Sequence, residues 1–220
     1  MRRRSLHPLF ARLRRGCAKR KHGATPEACP PNDDTLRGVL AFIRQAENLK
    51  NTLRQSHTST GRHESAAEHS WRLCLLILAC SGLLAGLCVE KSLKLAIVHD
   101  LGEAISGDTP AISLPQAEAK SARERRDMRL LCAPLPENLR EEFLSLWEEY
   151  EAASTAEAKM VKGLDKLETL AQHNQGCNPP NFDYTFNLSY GRSHTDSHPL
   201  LQALRNIIDE ETFKHVTLGT

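Results

Sequence analysis

Apolar residues recur at helical spacing along almost the whole chain from Asp33 onward, and this periodicity constrains the fold more than any other feature. No run of five or more residues alternates between apolar and polar side chains, as a half-buried strand does. Paired prolines, Pro110 with Pro115 and Pro134 with Pro136, interrupt the helical stretches. The sequence therefore predicts an all-α fold, a single bundle of helices joined by loops.

Capping residues and helix breakers divide the chain into segments. We expect helices over residues 33–54, 64–84, 92–107, 116–132, 137–151, 154–176 and 198–211. Ser92 is predicted to cap the third of these, and a capping box formed by Ser154 and Glu157 the sixth, which Gly176 closes. The polar segment 55–63 and the segment 177–198 are predicted to be irregular.

The first 33 residues differ in composition from the rest of the chain. They are rich in arginine, broken by glycine and proline, and have no sustained apolar period. Residues 1–31 hold nine Lys and Arg against one acid, Glu27, whereas the remainder holds 20 basic and 26 acidic residues. We predict a disordered basic tail over 1–33 and one helical domain over 34–215. Organelle targeting, a nucleic-acid-binding arm and translation from an upstream start codon are alternatives for the tail.

Composition excludes several classes of protein. No apolar stretch reaches the roughly 20 residues that a membrane span needs. Seven cysteines without a Cys-x-x-Cys pair argue against a disulfide scaffold and a structural zinc finger, and favour a reducing compartment, the cytoplasm. Because the predicted folded part is acidic, the net charge of +2 does not indicate a nucleic-acid partner.

Three places put polar groups that can bind metal inside apolar helical pattern. They are Glu68-His69, His99-Asp100 and Asp165. Charged groups in such places are costly unless they are paired or bound to a metal ion. Two imidazoles and two carboxylates would suit a divalent cation and leave positions for water and a substrate oxygen.

Each of these residues also has an ordinary interpretation. A histidine such as His99 can be a hydrogen-bonded core residue, and Asp165 can pair with Lys162 or Lys166 on the surface. Their co-occurrence favours a metal site. Glu103 lies one helical turn after His99, where a carboxylate could take a proton from a water molecule.

The residues around these positions resemble a known family. The matching blocks are Glu64–Ser70, Leu95–Glu103, Gly107–Pro110, Leu146–Glu151, Ala156–Lys159 and Asp165–Lys166. In this order they resemble the HD-domain metal-dependent phosphohydrolases, and within them the branch of the bacterial 5′-deoxynucleotidases and their eukaryotic relatives. The resemblance spans residues 35–175.

The resemblance implies a catalytic site around one divalent transition metal. His69, His99, Asp100 and Asp165 would bind the metal, with Mn²⁺, Co²⁺, Fe²⁺ or Ni²⁺ preferred to Mg²⁺ or Zn²⁺. Glu103 would assist catalysis beside the metal ligand Asp100.

The resemblance also implies residues that contact the substrate. Asp108 would lie at the substrate with a catalytic role, and Arg54 would hold its phosphate, which a guanidinium can contact with two hydrogen bonds. Arg62, in the polar loop, is a second candidate. In the deoxynucleotidases a tryptophan that excludes the ribose 2′-hydroxyl follows the arginine, whereas here Gln55 follows it. This departure leaves the choice between ribo- and deoxyribonucleotides open.

The expected function is a phosphomonoesterase that uses metal-activated water to release phosphate from nucleoside 5′-monophosphates. Hydrolysis of another phosphate ester (a phosphodiester or an alarmone) and non-catalytic nucleotide sensing are the alternatives. The chain shows no second histidine pair for a two-metal phosphodiesterase, and a sensor has no need of Glu103. We also expect a homodimer, because the apolar content after Glu64 exceeds what one bundle can bury and relatives are commonly dimeric.

Overall fold

The computed structural model describes residues 32–108 and 117–218, without the side chains of 117–120 and 218. Its α-helices are α1 (Asp33–Ala46), α2 (Ala66–Ala79), α3 (Val89–Val98), α4 (Glu103–Ser106), α5 (Ala117–Cys132), α6 (Glu137–Ala152), α7 (Ala156–Gln175), α8 (Tyr184–Asn187), α9 (Arg192–Thr195) and α10 (Pro199–Leu218). Two short 3₁₀ helices follow α1 and α2, at Glu47–Lys50 and Ser81–Leu83. The predicted all-α class is confirmed. The predicted tail lies, except for its last two residues, outside the described residues.

The polar segment predicted as a loop instead forms a β-hairpin. Strand β1 (Leu53–His57) pairs antiparallel with β2 (His63–Ser65). The pairing register shifts between Leu53 and His57, the two ends of β1. Gly61 closes the turn at φ +86°, a conformation that glycine adopts without strain. Gln172 of α7 donates a hydrogen bond to the carbonyl of His57 at 2.6 Å. An isolated two-stranded hairpin is only marginally stable in water. Contacts with α7 therefore stabilise β1, whose own sequence shows no strand pattern.

The helix predicted over 92–107 is two helices with a turn between them. α3 begins at Val89 rather than at Ser92, whose hydroxyl instead bonds the Cys88 carbonyl within the first turn. The turn contains His99 and Asp100. His99 and Asp100 therefore lie directly at the end of α3, and His99 still has helical backbone angles, with φ −58° and ψ −42°.

The start of α7 also differs from its prediction. Thr155 caps the helix by accepting a hydrogen bond from the backbone N–H of Ala158, so Ser154 is not the cap. Glu157 accepts a hydrogen bond from the backbone of Cys88 and thereby ties α7 to the start of α3. Gly176 ends the helix as predicted.

Helix α7 forms the centre of the core and packs against α2, α3, α6 and α10. Its apolar residues, such as Leu164 and Leu167, are buried against Leu73 and Leu95 of α2 and α3. The same helix also buries polar residues, Asp165 among them. Within the described part of the chain, no helix is both long and apolar enough to cross a membrane.

Candidate metal centre

Three elements bring the four predicted metal ligands together. His69 comes from α2, His99 and Asp100 from the turn after α3, and Asp165 from α7. His69 Nε2 lies 3.0 Å from Asp165 Oδ1 and 4.0 Å from Asp100 Oδ2, and His99 Nε2 lies 3.1 Å from Asp100 Oδ2. One ligand atom from each of His69, His99 and Asp165 falls within 4.8 Å of the others, and all three residues are buried. These four side chains could hold one metal ion.

The far nitrogen of each histidine ring has a partner that orients the ring. His99 Nδ1 lies 2.8 Å from the carbonyl oxygen of Ala96, and His69 Nδ1 contacts Glu168 Oε2. A carbonyl only accepts, so His99 Nδ1 donates this hydrogen bond and Nε2 faces the cluster. His99 Nε2 is buried and makes no hydrogen bond to a described residue. This arrangement of ligand atoms fits a divalent cation, because the second ring nitrogen of a metal-binding histidine is usually bonded to a carboxylate or a backbone carbonyl.

Asp165 is held by two donors on its other oxygen. Tyr150 donates its hydroxyl to Asp165 Oδ2 at 2.7 Å, and Lys166 Nζ lies 2.9 Å from the same atom. Burial opposes ionisation of Asp165, but Lys166 and His69 outweigh it and hold its pKa well below the ordinary value. The pairing of Asp165 with Lys166 considered from the sequence therefore exists, and it lies in the interior beside the cluster.

The charges of the cluster favour ionised carboxylates and a permanently charged arginine. Burial opposes ionisation of Asp100, yet His99, His69 and Arg54 hold its pKa well below the ordinary value. Burial and Arg54 disfavour protonation of His69, but hydrogen bonds with Asp165 and Glu168 raise its pKa to about 9. The cluster thus attracts positive charge, which a divalent cation would supply.

Arg54, in β1, is the cation nearest to these residues. Its Nη1 lies 3.4 Å from Asp100 Oδ2, its Nη2 donates to Thr169 at 3.0 Å, and its Nε lies 3.5 Å from Glu64. Burial lowers the pKa of Arg54, but Asp100 and Asp165 raise it by more, so the guanidinium stays charged. Its partners hold it beside the cluster without covering it fully, since 14% of the side chain is exposed.

A cavity of about 750 Å³ opens onto the cluster. Most predicted site residues line it, namely Arg54, Gln55, His99, Asp100, Glu103, Asp108 and Asp165. His69 is fully buried behind this surface. Glu103 is also buried, at the start of α4. The cavity therefore joins the metal-binding cluster to the residues expected to contact a substrate.

Arg62 is the predicted substrate residue that the structure does not bring to the cavity. It lies in the turn before β2 and pairs with Glu68 at 2.5 Å, with 59% of its side chain exposed. The hydrogen bond from Arg62 lowers the pKa of Glu68 to about 2. This surface pair excludes Arg62 from the cavity lining, and Glu68 caps α2 through Ser65.

Two buried glutamates stand behind His69. Glu64, His69 and Glu168 form a second group whose ligand atoms lie close together. Arg54 lies 3.5 Å from Glu64, and Arg72 Nε lies 3.2 Å from Glu168 Oε1. Because these arginines already offset the carboxylates, we interpret the group as the support that orients His69 rather than as a second metal site.

Sequence reasoning missed several residues of the cavity wall. Tyr150, Lys166, Thr169 and His173 all line it. Thr169 and His173 follow Asp165 at steps of four residues, so they lie on one face of α7. A polar face on an otherwise apolar helix is the signal that could have found them.

Comparisons with known proteins agree with this geometry. Residues 46–205 match the family model described as HD domain. The chain is 33% identical to the 5′-deoxynucleotidase HDDC2 of Danio rerio over 191 residues, which cover 84% of this chain and 92% of that protein. It is 38% identical to the Homo sapiens protein of that name over 139 residues, covering 62% and 67%. A solved structure from Magnetospirillum magnetotacticum, described as a predicted metal-dependent phosphohydrolase, shares the fold, with a TM-score of 0.72, 24% identity, and coverage of 82% and 94%.

The helical bundle, the buried histidine–aspartate cluster and the curated relatives together define the class of protein, a helical phosphohydrolase. The chain belongs to the HD-domain family. The family and the class of enzyme predicted from the sequence, an HD-domain phosphohydrolase, are thereby confirmed.

Proposed function

We propose that this chain releases phosphate from nucleoside 5′-monophosphates as a metal-dependent phosphomonoesterase. The observation that carries the proposal is the position of Arg54, 3.4 Å from Asp100, on the wall of the cavity that opens onto the cluster. A charged guanidinium at this point can contact two oxygens of a terminal phosphate. The curated relatives are named 5′-deoxynucleotidases, which supports a nucleotide as the substrate.

His69, His99, Asp100 and Asp165 would hold one divalent cation. We propose Mn²⁺, Co²⁺, Fe²⁺ or Ni²⁺ as this cation, because a shell of imidazole and carboxylate ligands suits all four. When bound, such a cation stabilises charge on phosphoryl oxygens and lowers the pKa of a water molecule.

The protein's own residues bind the phosphate and move protons. Arg54 offsets charge on the phosphoryl oxygens, and Thr169 and Asp100 keep its guanidinium in place. A bond forms between the water oxygen and phosphorus while the bond from phosphorus to the 5′ oxygen breaks. Glu103, together with Asp108, carries the proton that leaves the water and the proton that reaches the departing 5′ oxygen.

Gln55 bears on the choice of sugar. It follows Arg54 in β1 and lines the cavity. Its amide can donate and accept hydrogen bonds, so it tolerates a ribose 2′-hydroxyl where a bulky apolar ring would not. We therefore propose that ribonucleotides are accepted as well as deoxyribonucleotides.

Phosphate release from a panel of 5′-ribo- and 5′-deoxyribonucleoside monophosphates tests this function. Metal-stripped protein is reloaded in turn with Mn²⁺, Co²⁺ and Mg²⁺, and Asp100→Ala serves as the inactive control. Release that needs the metal and disappears in the variant is the expected result. If metal-loaded protein releases nothing from any monophosphate, the function is wrong. Activity on a phosphodiester or an alarmone, or binding without turnover, would then take its place.

The proposal extends to a homodimer. Trp71, Leu75 and Leu78 follow one face of α2, and 62%, 46% and 50% of these residues remain exposed. An apolar stripe of this kind favours association. Light scattering coupled to size exclusion tests it, with Trp71→Glu expected to give a monomer. A monomeric native protein would overturn this part of the proposal.

A reducing compartment, the cytoplasm, is proposed as the location. The cysteines of the described residues are free thiols, namely Cys74, Cys80, Cys88, Cys132 and Cys177. Burial raises the pKa of the Cys132 thiol to about 11, which keeps it protonated and unreactive. Fractionation with an antibody against the chain tests the location, and recovery in an oxidising compartment would contradict it.

A further inference from the structure

One part of the cavity is not used by the chemistry described above. The segment 179–194 forms this part of the wall, and the half-buried rings of Phe182, Phe186 and Tyr190 line it. The Phe186 and Tyr190 rings lie 5.4 Å apart at 34° to each other. The segment therefore provides aromatic surface in the cavity that holds Arg54.

Helix α7 sets the distance between this part and the metal-binding cluster. Asp165, Thr169 and His173 all line the cavity at four-residue intervals along the helix. At a rise of 1.5 Å per residue, Asp165 and His173 are about 12 Å apart along the axis. This spacing is comparable to the length of a nucleoside monophosphate from its phosphate to its base.

A chain of hydrogen bonds directs one amide group at this part of the cavity. His173 Nδ1 lies 3.0 Å from Asn187 Oδ1, and His173 Nε2 lies 3.1 Å from Ser56 Oγ. When Nδ1 donates its proton to the amide oxygen, Nε2 accepts the proton of the serine hydroxyl. The amide nitrogen of Asn187, a residue only 1% exposed that lines the cavity, then has no hydrogen-bond partner among the described residues.

Arg205 holds the backbone that carries this amide. It is 1% exposed and donates to the carbonyls of Asn187 and Tyr190 at 2.7 Å and of Leu188 at 2.9 Å. Asp209 accepts from Arg205 Nε at 2.7 Å. The segment is therefore set in position before any ligand binds, which reduces the entropy that binding costs.

We propose that this part of the cavity is a nucleobase subsite. The base lies against the rings of Phe186 and Tyr190, and a carbonyl oxygen or ring nitrogen of the base accepts a hydrogen bond from Asn187 Nδ2. A buried donor without a partner favours a ligand that offers an acceptor and rejects one that does not. The inference rests on the proposed function, because it assumes that the phosphate lies at Arg54.

The test compares nucleoside 5′-monophosphates with deoxyribose 5-phosphate, which has the phosphate and the sugar but no base. We expect the native protein to have a kcat/KM at least roughly tenfold higher for the best nucleotide, from stacking and one hydrogen bond. Asn187→Leu and Phe186→Leu should each remove most of this difference through KM. Each variant should lower kcat/KM far more for the nucleotide than for deoxyribose 5-phosphate, which has no base to contact either side chain.

Tyr184→Leu is the matched control. Tyr184 lies in the same segment, but its ring stacks on His215 at 4.4 Å and does not line the cavity. It should leave the preference for nucleotides unchanged. If Asn187→Leu fails to fold, as judged by circular dichroism, Phe186→Leu decides. Equal rates of the native protein with both substrates, or an equal loss on both in the variants, would overturn the subsite.

Equilibrium binding separates this inference from the proposed function. If no metal-loaded protein hydrolyses either substrate, calorimetry with metal-free protein compares the affinities for the nucleotide and for deoxyribose 5-phosphate. Tighter binding of the nucleotide that Asn187→Leu abolishes supports the subsite even though the proposed reaction fails. Equal affinities, or no binding of either compound, would overturn it.

Discussion

His69 and Glu168 meet in the interior of the bundle, where Nδ1 of the histidine contacts a carboxylate oxygen of the glutamate. The His69 side chain is 0% and the Glu168 side chain 2% exposed. This contact fixes the orientation of the ring, so that Nε2 faces Asp165 on the same helix as Glu168. One helix therefore supplies both a candidate metal ligand and the support of another.

Loss of this support should weaken metal binding. Glu168→Gln keeps the volume of the side chain but removes its charge, and we expect roughly tenfold weaker affinity for Mn²⁺ or Co²⁺. Titration against a competing chelator measures this affinity. Glu148→Gln is the control, because Glu148 pairs with Arg125 at the surface. Equal affinities in the native protein and Glu168→Gln would show that the contact has no orienting role.

Metal removal should lower stability as well as activity. A cation that binds only the folded state stabilises it, by about 2.7 kcal/mol at a hundredfold excess over its Kd. Thermal denaturation with chelator and then with restored Mn²⁺ measures the shift in Tm. Asp165→Asn should lose most of this shift, since Asp165 Oδ1 is one of the converging donor atoms. A native Tm that does not respond to metal would count against the site.

Arg54 and Arg62 form a matched pair for mutation. Arg54→Lys keeps the charge but loses the fork of donors, and we expect kcat/KM for a monophosphate to fall by roughly ten- to a hundredfold. Arg62→Lys should have no effect, because Arg62 is exposed and pairs with Glu68. Steady-state kinetics on both variants check the expectation, and it is wrong if the two behave alike.

The contact between α7 and α10 should be sensitive to a single methyl group. A Cβ on Gly163 would lie 2.4 Å from Leu201 Cδ1, and Leu201 is 0% exposed. Gly163→Ala should therefore lower the free energy of unfolding by about 1–3 kcal/mol through overpacking. Gly82→Ala is the control, since nothing lies within 4 Å of the position of its Cβ. Urea denaturation measures both, and equal stabilities would contradict the packing argument.

His173 should make stability depend on pH. Burial lowers its pKa below the ordinary value of 6.5, and Arg54 lowers it further, although the hydrogen bond with Asn187 opposes this. The unfolded state binds a proton below pH 6.5 that the folded state resists, so stability falls as the pH decreases through this region. His173→Gln should show a shallower fall between pH 7 and pH 5. Parallel denaturation curves of the two proteins across this range would refute the role of His173.

Local sequence patterns predicted many of the helices of the fold. The periodicity of α2 and α7 and the two prolines before α6 predicted helices close to their observed positions. The hairpin was missed because β1 (Leu53–His57) is polar and depends on a bond from Gln172 in α7. The split between α3 and α4 was missed because it falls at His99 and Asp100, and neither histidine nor aspartate is a residue that breaks a helix.

The sequence by itself determined the helical class and the chemical identity of the donors, because periodicity and side-chain chemistry are properties of neighbouring residues. Tertiary structure alone decided which neighbouring groups orient the side chains of the site. Glu168 supports His69 across 99 residues, and Asn187 meets His173 across 14. Such pairs form only when helices pack, since their contact depends on burial and helix orientation rather than on spacing along the chain.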